Sequence, residues 1–328
     1  IQLYLHKFHI LNIQSNKGSI EMKTLEYVTG KPLIGNDAKL GIVYLKVNNL
    51  EEQFKFYHKA LKMTIINQTD TSALLGDSNL KPLLHVKKED HLKRYHATSG
   101  MYHFALLYPN EKEFAKAVAW LMSIQYPNHP TDHGFSKTTY LKDPEGNDIE
   151  LYIRTINRAQ YVIINNEHKV RYTNGNITDG RDHLDLQELF SHLSNQEKID
   201  SPIKDMEMGH IHLYGYNLFD MQKFYTEIIG YAEGLYMPYF QMSDVGLSKE
   251  ENHIIAFNAW KKTNTKAPVD ALGLDYYTIS FKEEKSYHEL LERIKKANIK
   301  LIEENNEIFI LDPSEIKIKL ELVKAQGK

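Results

Sequence analysis

The feature that most constrains this chain is an internal repeat. Residues 41–50 and 209–218 are both strand-like segments that end in an Asn-Leu pair, and a helix-like segment containing Lys-Phe-Tyr follows each of them. Asn49 and Asn217 occupy the N-cap positions of these predicted helices, with an acidic residue in the first turn. Similarity of this kind indicates that one supersecondary unit is used more than once.

Two weaker copies fit the same frame. Residues 102–110 lead through Asn110 into a predicted helix at 111–123, and residues 275–281 lead into one at about 287–297. Ser286 and Glu289 have the spacing of a capping box for the last helix. Each copy then continues into two or three further strands. The sequence therefore predicts four βαβββ modules, at residues 38–90, 98–155, 206–260 and 272–325.

The clearest hairpin covers residues 131–152. Asp143-Pro144-Glu145-Gly146-Asn147 supplies turn residues, and the polar residues after the turn alternate with Ile149 and Leu151. This period of two places Glu150 on the face opposite the apolar residues. A single carboxylate in such a position is ordinarily a solvated strand residue, so Glu150 becomes a candidate site residue only through the repeat.

The repeat also divides the chain. We expect an N-terminal extension at 1–37, a first pair of modules at 38–155, a connector at 156–205 and a second pair of modules at 206–325. The connector is polar, is rich in turn residues at 173–176 and contains one predicted helix at about 184–193. Residues 1–21 are expected to lie outside the folded core.

Composition excludes several classes of function. The chain has 328 residues and no cysteine, so a metal would be bound by His, Asp, Glu or Tyr side chains. The net charge of −3 is spread over interspersed acidic and basic residues, unlike the basic surface of a nucleic-acid-binding protein. No apolar run is long enough to cross a bilayer. We expect a cytoplasmic protein that binds neither nucleic acid nor membrane, and homo-oligomerisation is left open.

A fourfold βαβββ repeat resembles the vicinal oxygen chelate superfamily, also called the glyoxalase/bleomycin resistance/dioxygenase superfamily. The resemblance covers nearly all of residues 38–325. It implies an α+β fold in which the modules pair to form two funnel-like, curved mixed sheets with helices outside. It also implies that two positions in each module face the funnel, one on the first strand and one on the last.

These positions can be read in every module: Ile42 and His85, His103 and Glu150, His210 and His253, and Tyr276 and Lys319. Ile42 cannot bind a metal, and the Lys319 ammonium would repel one. Pairing of the second module with the third would gather His103, Glu150, His210 and His253 in one funnel, and we favour it. Pairing of the first module with the second would instead give His85, His103 and Glu150.

Two His and one carboxylate form the ligand set of non-haem Fe(II) oxygenases, with three coordination positions left open. Residues 99–107, 132–152 and 208–213 are similar to the extradiol catechol 2,3-dioxygenase-like proteins of Gram-positive bacteria. This resemblance implies that Fe(II), with Mn(II) also compatible, is bound by His103, Glu150 and His210. It further implies cleavage of a catechol-type aromatic by O2, giving a product like 2-hydroxymuconate semialdehyde.

The same resemblance implies roles for three more residues. His253 would assist dioxygen and relay a proton, while His133 and Tyr140 would position a ring hydroxyl; His129 is the alternative to His133. His212, on the same strand face as His210, is expected either to support the ligands or to be structural. The remaining histidines have no position in the repeat and are expected to be solvated: His91, His96, His168, His183 and His192.

Other functions remain open at this point. A glyoxalase-type isomerase or a thiol transferase would share the fold, and so would a metal-free small-molecule binding or resistance protein. A glyoxalase usually has a second protein oxygen ligand at the fourth funnel position. His253 occupies that position in the sequence frame and argues against an isomerase.

Overall fold

The computed structural model describes residues 9–13, 20–25, 28–165 and 167–323. Its α-helices are α1 (Leu50–Lys55), α2 (Glu111–Ser123), α3 (Leu186–Phe190), α4 (Leu218–Lys223) and α5 (Glu284–Lys296). Helices α1 and α4 each continue into a π-helical turn, Phe56–Ala60 and Phe224–Ile229, and a 3₁₀ turn covers Pro238–Phe240. No helix in these ranges is long and apolar enough to cross a bilayer.

Strands make up most of the regular structure. In the first half of the chain they are β1 (His9–Ile13), β2 (Ile20–Thr24), β3 (Lys39–Val47), β4 (Thr64–Gln68), β5 (Ser72–Gly76), β6 (Pro82–Lys88), β7 (Gly100–Leu107), β8 (His129–Asp132), β9 (Ser136–Lys142) and β10 (Asp148–Arg154). After it come β11 (Ala159–Ile164), β12 (Glu167–Tyr172), β13 (Ile177–Thr178), β14 (Asp182–His183), β15 (Glu207–Tyr214), β16 (Ala232–Met237), β17 (Met242–Gly246), β18 (Ile255–Asn258), β19 (Gly273–Phe281), β20 (Ile302–Glu304), β21 (Glu307–Leu311) and β22 (Lys317–Leu322).

The modules pair across the middle of the chain. One large mixed sheet has the order β14-β8-β9-β10-β7-β15-β18-β17-β16 and joins the second module to the third. The other has the order β20-β21-β22-β19-β3-β6-β5-β4 and joins the fourth module to the first. Each sheet thus takes one module from 38–155 and one from 206–325. This is the pairing favoured from the sequence, and the curved mixed sheets with outer helices confirm the predicted α+β class.

The predicted N-caps are confirmed in three modules. The Asn49 side chain accepts a hydrogen bond from the Glu52 backbone N–H at 3.1 Å. Asn110 accepts one from Glu113 at 2.9 Å. Asn217 accepts one from Asp220 at 3.1 Å. Each cap satisfies a backbone donor at the exposed start of a helix.

The capping box predicted at Ser286 is wrong. Helix α5 begins at Glu284, so Ser286 lies inside it and is buried. Asp37, from outside the module, accepts hydrogen bonds from the backbone N–H groups of Lys282 and Glu283, each at 2.9 Å. A carboxylate brought in by the tertiary fold thus stabilises the residues ahead of the helix, and local spacing could not show this.

The connector contains more structure than the one predicted helix. That helix is the short α3, and strands β11 and β12 form an antiparallel hairpin beside it. Strand β2 pairs with β11, and β1 pairs with β2, which forms a third, smaller sheet separate from the two large ones. Of the N-terminal segment 1–21, residues 1–8 and 14–19 lie outside the described residues.

Chain-adjacent modules are joined through helix-to-turn contacts. The Tyr57 hydroxyl, on the π-helical turn after α1, donates to Asp143 Oδ2 at 2.9 Å. In the second half of the chain Tyr225 makes the equivalent contact with Asp312 Oδ2 at 3.0 Å. The Lys-Phe-Tyr segments and the Asp-Pro turns, which are separate signals in the sequence, are therefore partners in the fold.

Candidate metal centre

Three adjacent strands present one cluster of polar side chains. Strand β10 runs parallel to β7 and places Glu150 opposite Ala105, while β15 runs antiparallel to β7 and places His210 opposite the same residue. His103 precedes Ala105 by two residues and so points to the same face of the sheet. Strand pairing therefore brings His103, Glu150 and His210 together from residues as much as 107 positions apart.

The close approach of β15 depends on a glycine. A Cβ atom at Gly209 would lie 2.3 Å from the Tyr152 hydroxyl oxygen, so a larger residue would move either His210 or Tyr152. The ladder between β15 and β7 also shifts register between Met208 and His210. Such irregularities commonly reorient a side chain beside a functional site.

The three side chains meet through single atoms. His103 Nε2 and His210 Nε2 are 3.1 Å apart, and they lie 3.2 and 3.1 Å from Glu150 Oε2. All three residues are buried. Burial lowers the pKa of the His210 imidazole to about 3, despite the neighbouring Glu150 carboxylate. Burial raises the pKa of the Glu150 carboxyl, but His210 and His103 outweigh it and bring that pKa well below its usual value.

This arrangement fits a metal ion. At neutral pH it consists of a carboxylate and at least one neutral imidazole, whose lone pairs face the same point. Metal–ligand bonds of about 2.1 Å at right angles would separate ligand atoms by about 3.0 Å, against about 3.4 Å for a tetrahedral site. Two of the observed distances, both 3.1 Å, are nearer the first value, and the third, 3.2 Å, lies midway. The three residues therefore form a candidate facial site with three positions open.

One feature departs from the usual metal site. Ligating histidines normally donate their second ring N–H to a neighbour. His210 Nδ1 is buried without a hydrogen-bond partner within the described ranges. Packing holds its ring instead, with Tyr152 at 5.0 Å and His253 at 4.7 Å between ring centroids.

His253 reaches the cluster by a different route from the one predicted. In the second module the last-strand residue Glu150 pairs with Ala105, two residues after the first-strand residue His103. The corresponding pair in the third module is Ala256 with His212, two residues after His210, so Ala256 occupies the last-strand position. His253 lies just before β18 in a left-handed conformation, with φ of 53°. The expected register was therefore wrong by three residues, because a loop rather than the strand delivers the imidazole.

A buried carboxylate orients His253. Asp244 Oδ2 lies 2.5 Å from His253 Nδ1, and Asp244 Oδ1 accepts the Leu235 backbone N–H at 2.9 Å. Burial lowers the pKa of the His253 imidazole, but Asp244 outweighs burial and the net pKa is raised. Since Nδ1 faces Asp244, Nε2 is the nitrogen left for the cavity. Sequence reasoning missed Asp244, for which no local signal exists.

His133 and Tyr140 form a second hydrogen-bonded pair at the cavity. His133 Nε2 is 3.0 Å from the Tyr140 hydroxyl, and His133 Nδ1 is 2.6 Å from the Gly180 carbonyl oxygen. A carbonyl only accepts, so Nδ1 carries the proton and a neutral His133 accepts from Tyr140 through Nε2. The alternative, His129, is exposed on β8, where its backbone faces Tyr140. The structure thus brings His133, rather than His129, to the Tyr140 hydroxyl.

The other predicted site positions lie in the opposite sheet. Tyr44 and Tyr276 are stacked there at 4.1 Å, with His85 tilted against Tyr44. Lys319, at the strand position that corresponds to Glu150, is bound to Glu307 at 2.5 Å. His85 is therefore remote from His103 and Glu150, and the alternative ligand set of His85, His103 and Glu150 is wrong.

The cluster opens into a cavity of about 780 Å³. Its walls include residues that sequence reasoning left aside, among them Trp260 and the connector residues His168 and Gly180. Burial lowers the pKa of His168, which was expected to be solvated but is partly buried in the cavity wall. His212 is buried on β15 with Asn258 Nδ2 donating to its Nε2 at 3.0 Å.

A second group with metal-binding side chains lies near α3. It consists of Glu111, Glu188 and His192, and it is partly exposed. The Lys137 ammonium is 2.7 Å from Glu111 Oε1 and 2.6 Å from Glu188 Oε2. This buried ammonium already pairs with both carboxylates, so the buried cluster of His103, Glu150 and His210 is the better candidate metal centre.

Two comparisons relate this sequence to known proteins. Residues 39–151 match the model of the family described as Glyoxalase/Bleomycin resistance protein/Dioxygenase superfamily. The chain is 28% identical over 284 residues to a protein of Bacillus subtilis (strain 168) named catechol-2,3-dioxygenase, which covers 85% of this chain and 95% of that protein.

Solved structures show the same fold. A putative dioxygenase from Bacillus subtilis superposes with a TM-score of 0.58 at 12% identity, covering 90% of this chain and 86% of that one. Glyoxalase I from Zea mays superposes with a TM-score of 0.51 at 15% identity, covering 86% and 92%. At these identities the likeness concerns the fold alone.

Proposed function

We propose that this chain, residues 39–151 of which match the model of the glyoxalase/bleomycin resistance/dioxygenase superfamily, is an extradiol ring-cleaving dioxygenase of that superfamily. Its substrate is a catechol-type aromatic diol, and its cofactor is Fe(II), with Mn(II) compatible with the same ligands. The observation that carries the proposal is the buried convergence of His103 Nε2, His210 Nε2 and Glu150 Oε2 beneath a large cavity.

The donor set separates this function from its alternatives. Among the described residues, the buried candidate metal group contains a single carboxylate and two imidazoles. An isomerase of the glyoxalase type would use a second oxygen ligand, yet Ala256 fills the fourth strand position and Asp244 is bonded to His253. A metal-free binding protein has no need to bury three ligand-type side chains whose atoms converge on one point.

The proposed reaction balances without an external reductant. The ring C–C bond beside one hydroxyl-bearing carbon breaks, and both atoms of O2 enter the product, so catechol yields 2-hydroxymuconate semialdehyde. When bound, the metal would supply adjacent coordination positions for the diol oxygens and O2, together with the redox chemistry that couples them.

The residues around the candidate ligands can donate and accept protons. The Tyr140 hydroxyl can donate a hydrogen bond to His133 Nε2, 3.0 Å away, and its oxygen can accept one from a substrate hydroxyl. Burial, and then the nearby Glu150, raise the pKa of Tyr140 well above its usual value, so Tyr140 stays a donor at neutral pH. His253, oriented by Asp244, presents Nε2 to the cavity and can give or take a proton there.

Anaerobic reconstitution tests the proposal. The purified protein is freed of metal, loaded with Fe(II) or with Mn(II), and mixed with catechol and oxygen-saturated buffer. We expect a yellow ring-fission product, one O2 consumed per diol and both atoms of ¹⁸O2 in the product. Absence of product and of oxygen uptake with several diols, at full metal occupancy, would overturn the proposed function.

A further inference from the structure

One wall of the cavity is aromatic from the candidate ligands to the mouth. We propose that this aromatic wall, formed by Tyr102, Trp260 and Phe240, selects diols that carry an apolar, aryl-sized substituent. The inference rests on the proposed function and adds the substrate class. The substituent would lie along the wall while the diol oxygens face His103, Glu150 and His210.

The wall is continuous with the ligands. The Tyr102 ring centroid lies 4.8 Å from that of His103, and the Trp260 centroid lies 5.5 Å from Tyr102. Trp260 Nε1 donates to the Phe240 carbonyl oxygen at 2.7 Å, which fixes the indole at the mouth. Aromatic rings in offset or edge contact are favourable partners for another ring.

The size of the cavity also argues for a substituted ring. One diol ring displaces on the order of 100 Å³, whereas pockets of several hundred Å³ typically enclose drug-sized ligands. The cavity here is about 780 Å³. A simple catechol would leave most of the aromatic wall exposed to water. An aryl substituent would cover Trp260 and Phe240, whose side chains are 42% and 47% exposed without a ligand.

An anionic substituent is the competing choice, because the cations Arg154, Arg181 and Lys169 also line the cavity. Arg154 lies over the Tyr152 ring, 6.0 Å from its centroid. Arg181 is exposed, and Lys169 Nζ is already paired with Glu167 at 2.9 Å. An ion pair formed with an exposed cation contributes little affinity. Burial of a ring against an apolar surface contributes more. We therefore expect the protein to prefer apolar aromatic substituents over anionic ones.

Substrate preference tests the inference. We would compare kcat/KM for catechol, a phenyl-substituted catechol and a carboxymethyl-substituted catechol. We expect the phenyl compound to be preferred over catechol by about ten- to a hundredfold. Trp260→Ala should reduce that ratio by about tenfold or more. Phe240→Ala, which keeps the backbone acceptor, should reduce it in the same direction and serves if Trp260→Ala fails to fold.

The matched control is Tyr239→Ala. Tyr239 is 95% exposed, does not line the cavity and should leave the ratio unchanged. Equal use of catechol and the phenyl compound, or preference for the carboxymethyl compound, would overturn the inference while the proposed function stands.

Anaerobic calorimetry measures binding of the diols without turnover. If no diol is cleaved, the proposed function fails, and the affinity of the metal-loaded protein for the phenyl compound still reports on the wall. Binding at least about tenfold tighter than catechol, and weakened by Trp260→Ala, would support the aromatic wall as a binding surface. Equal affinities would refute it.

Discussion

The Tyr57 hydroxyl donates a hydrogen bond to Asp143 across 86 residues, and this contact joins the first module to the turn that precedes Glu150. Asp143 Oδ1 accepts the backbone N–H groups of Glu145 and Asn147 at 3.0 and 2.8 Å, which closes the turn. The first module contributes no ligand to the candidate site. Through Tyr57 it nevertheless supports the strand that carries the only carboxylate ligand we propose.

Tyr57→Phe should destabilise the fold by about 1–3 kcal/mol, because a buried carboxylate loses one donor. Urea unfolding measures the change, and Tyr239→Phe, at an exposed position, is the matched control. A Tyr57→Phe protein as stable as the wild type would show that Asp143 is satisfied by its remaining donors, the two backbone N–H groups and Asn147 Nδ2.

Three substitutions should abolish metal binding. His103→Ala, His210→Ala and Glu150→Gln each remove one converging donor, and we expect affinity for Fe(II) to fall at least about a hundredfold. His85→Ala is the control, since His85 lies in the other large sheet. Metal content after loading and desalting gives the answer. Retention of iron by His210→Ala together with its loss from His85→Ala would contradict the site.

Tyr140→Phe should lower kcat by about a hundredfold or more while metal content stays the same. The phenyl ring keeps its packing against His103, at 5.9 Å between centroids, but the donor shared with His133 is lost. Tyr126→Phe removes a hydroxyl that donates to the Lys142 carbonyl instead, and it should leave kcat unchanged. An equal effect of both substitutions would indicate a structural role for Tyr140.

Asp312 should make stability depend on pH. Burial raises the pKa of its carboxyl to about 7, although Ser314, Ile316 and Tyr225 donate to it. The folded pKa lies above the unfolded value of about 3.9, so the stabilising contribution is complete below pH 4 and is lost as pH rises through 7.

Asp312→Asn cannot ionise and should escape this loss. Relative to the wild type, its free energy of unfolding should rise by about 2–4 kcal/mol between pH 4.5 and pH 8. Urea titrations at several pH values measure the difference. Asp70→Asn, in an exposed turn, is the control and should follow the wild type. Parallel curves for Asp312→Asn and wild type would contradict the prediction.

Much of this structure depends on interactions between residues close in sequence, and these could be predicted from the sequence. The N-caps at Asn49, Asn110 and Asn217 and the turn at Asp143 depend on residues only a few positions away. The candidate ligand types followed from their places in a repeat. His253 was assigned to the last strand from its separation from His210, but it lies in the loop before β18. Such an assignment assumes that strands and loops have the same lengths in every module, which does not hold here.

The repeat in the sequence predicted four βαβββ modules and the types of residue that could face a funnel. The choice between the two module pairings required the fold: β7 pairs with β15, which brings His210 to His103 and leaves His85 in the other large sheet. Strand pairing between distant segments depends on which edges meet and on how apolar faces pack, and neither is encoded in a local pattern. The same holds for Asp244 behind His253 and for the aromatic wall, whose members come together only when the second and third modules form one large sheet.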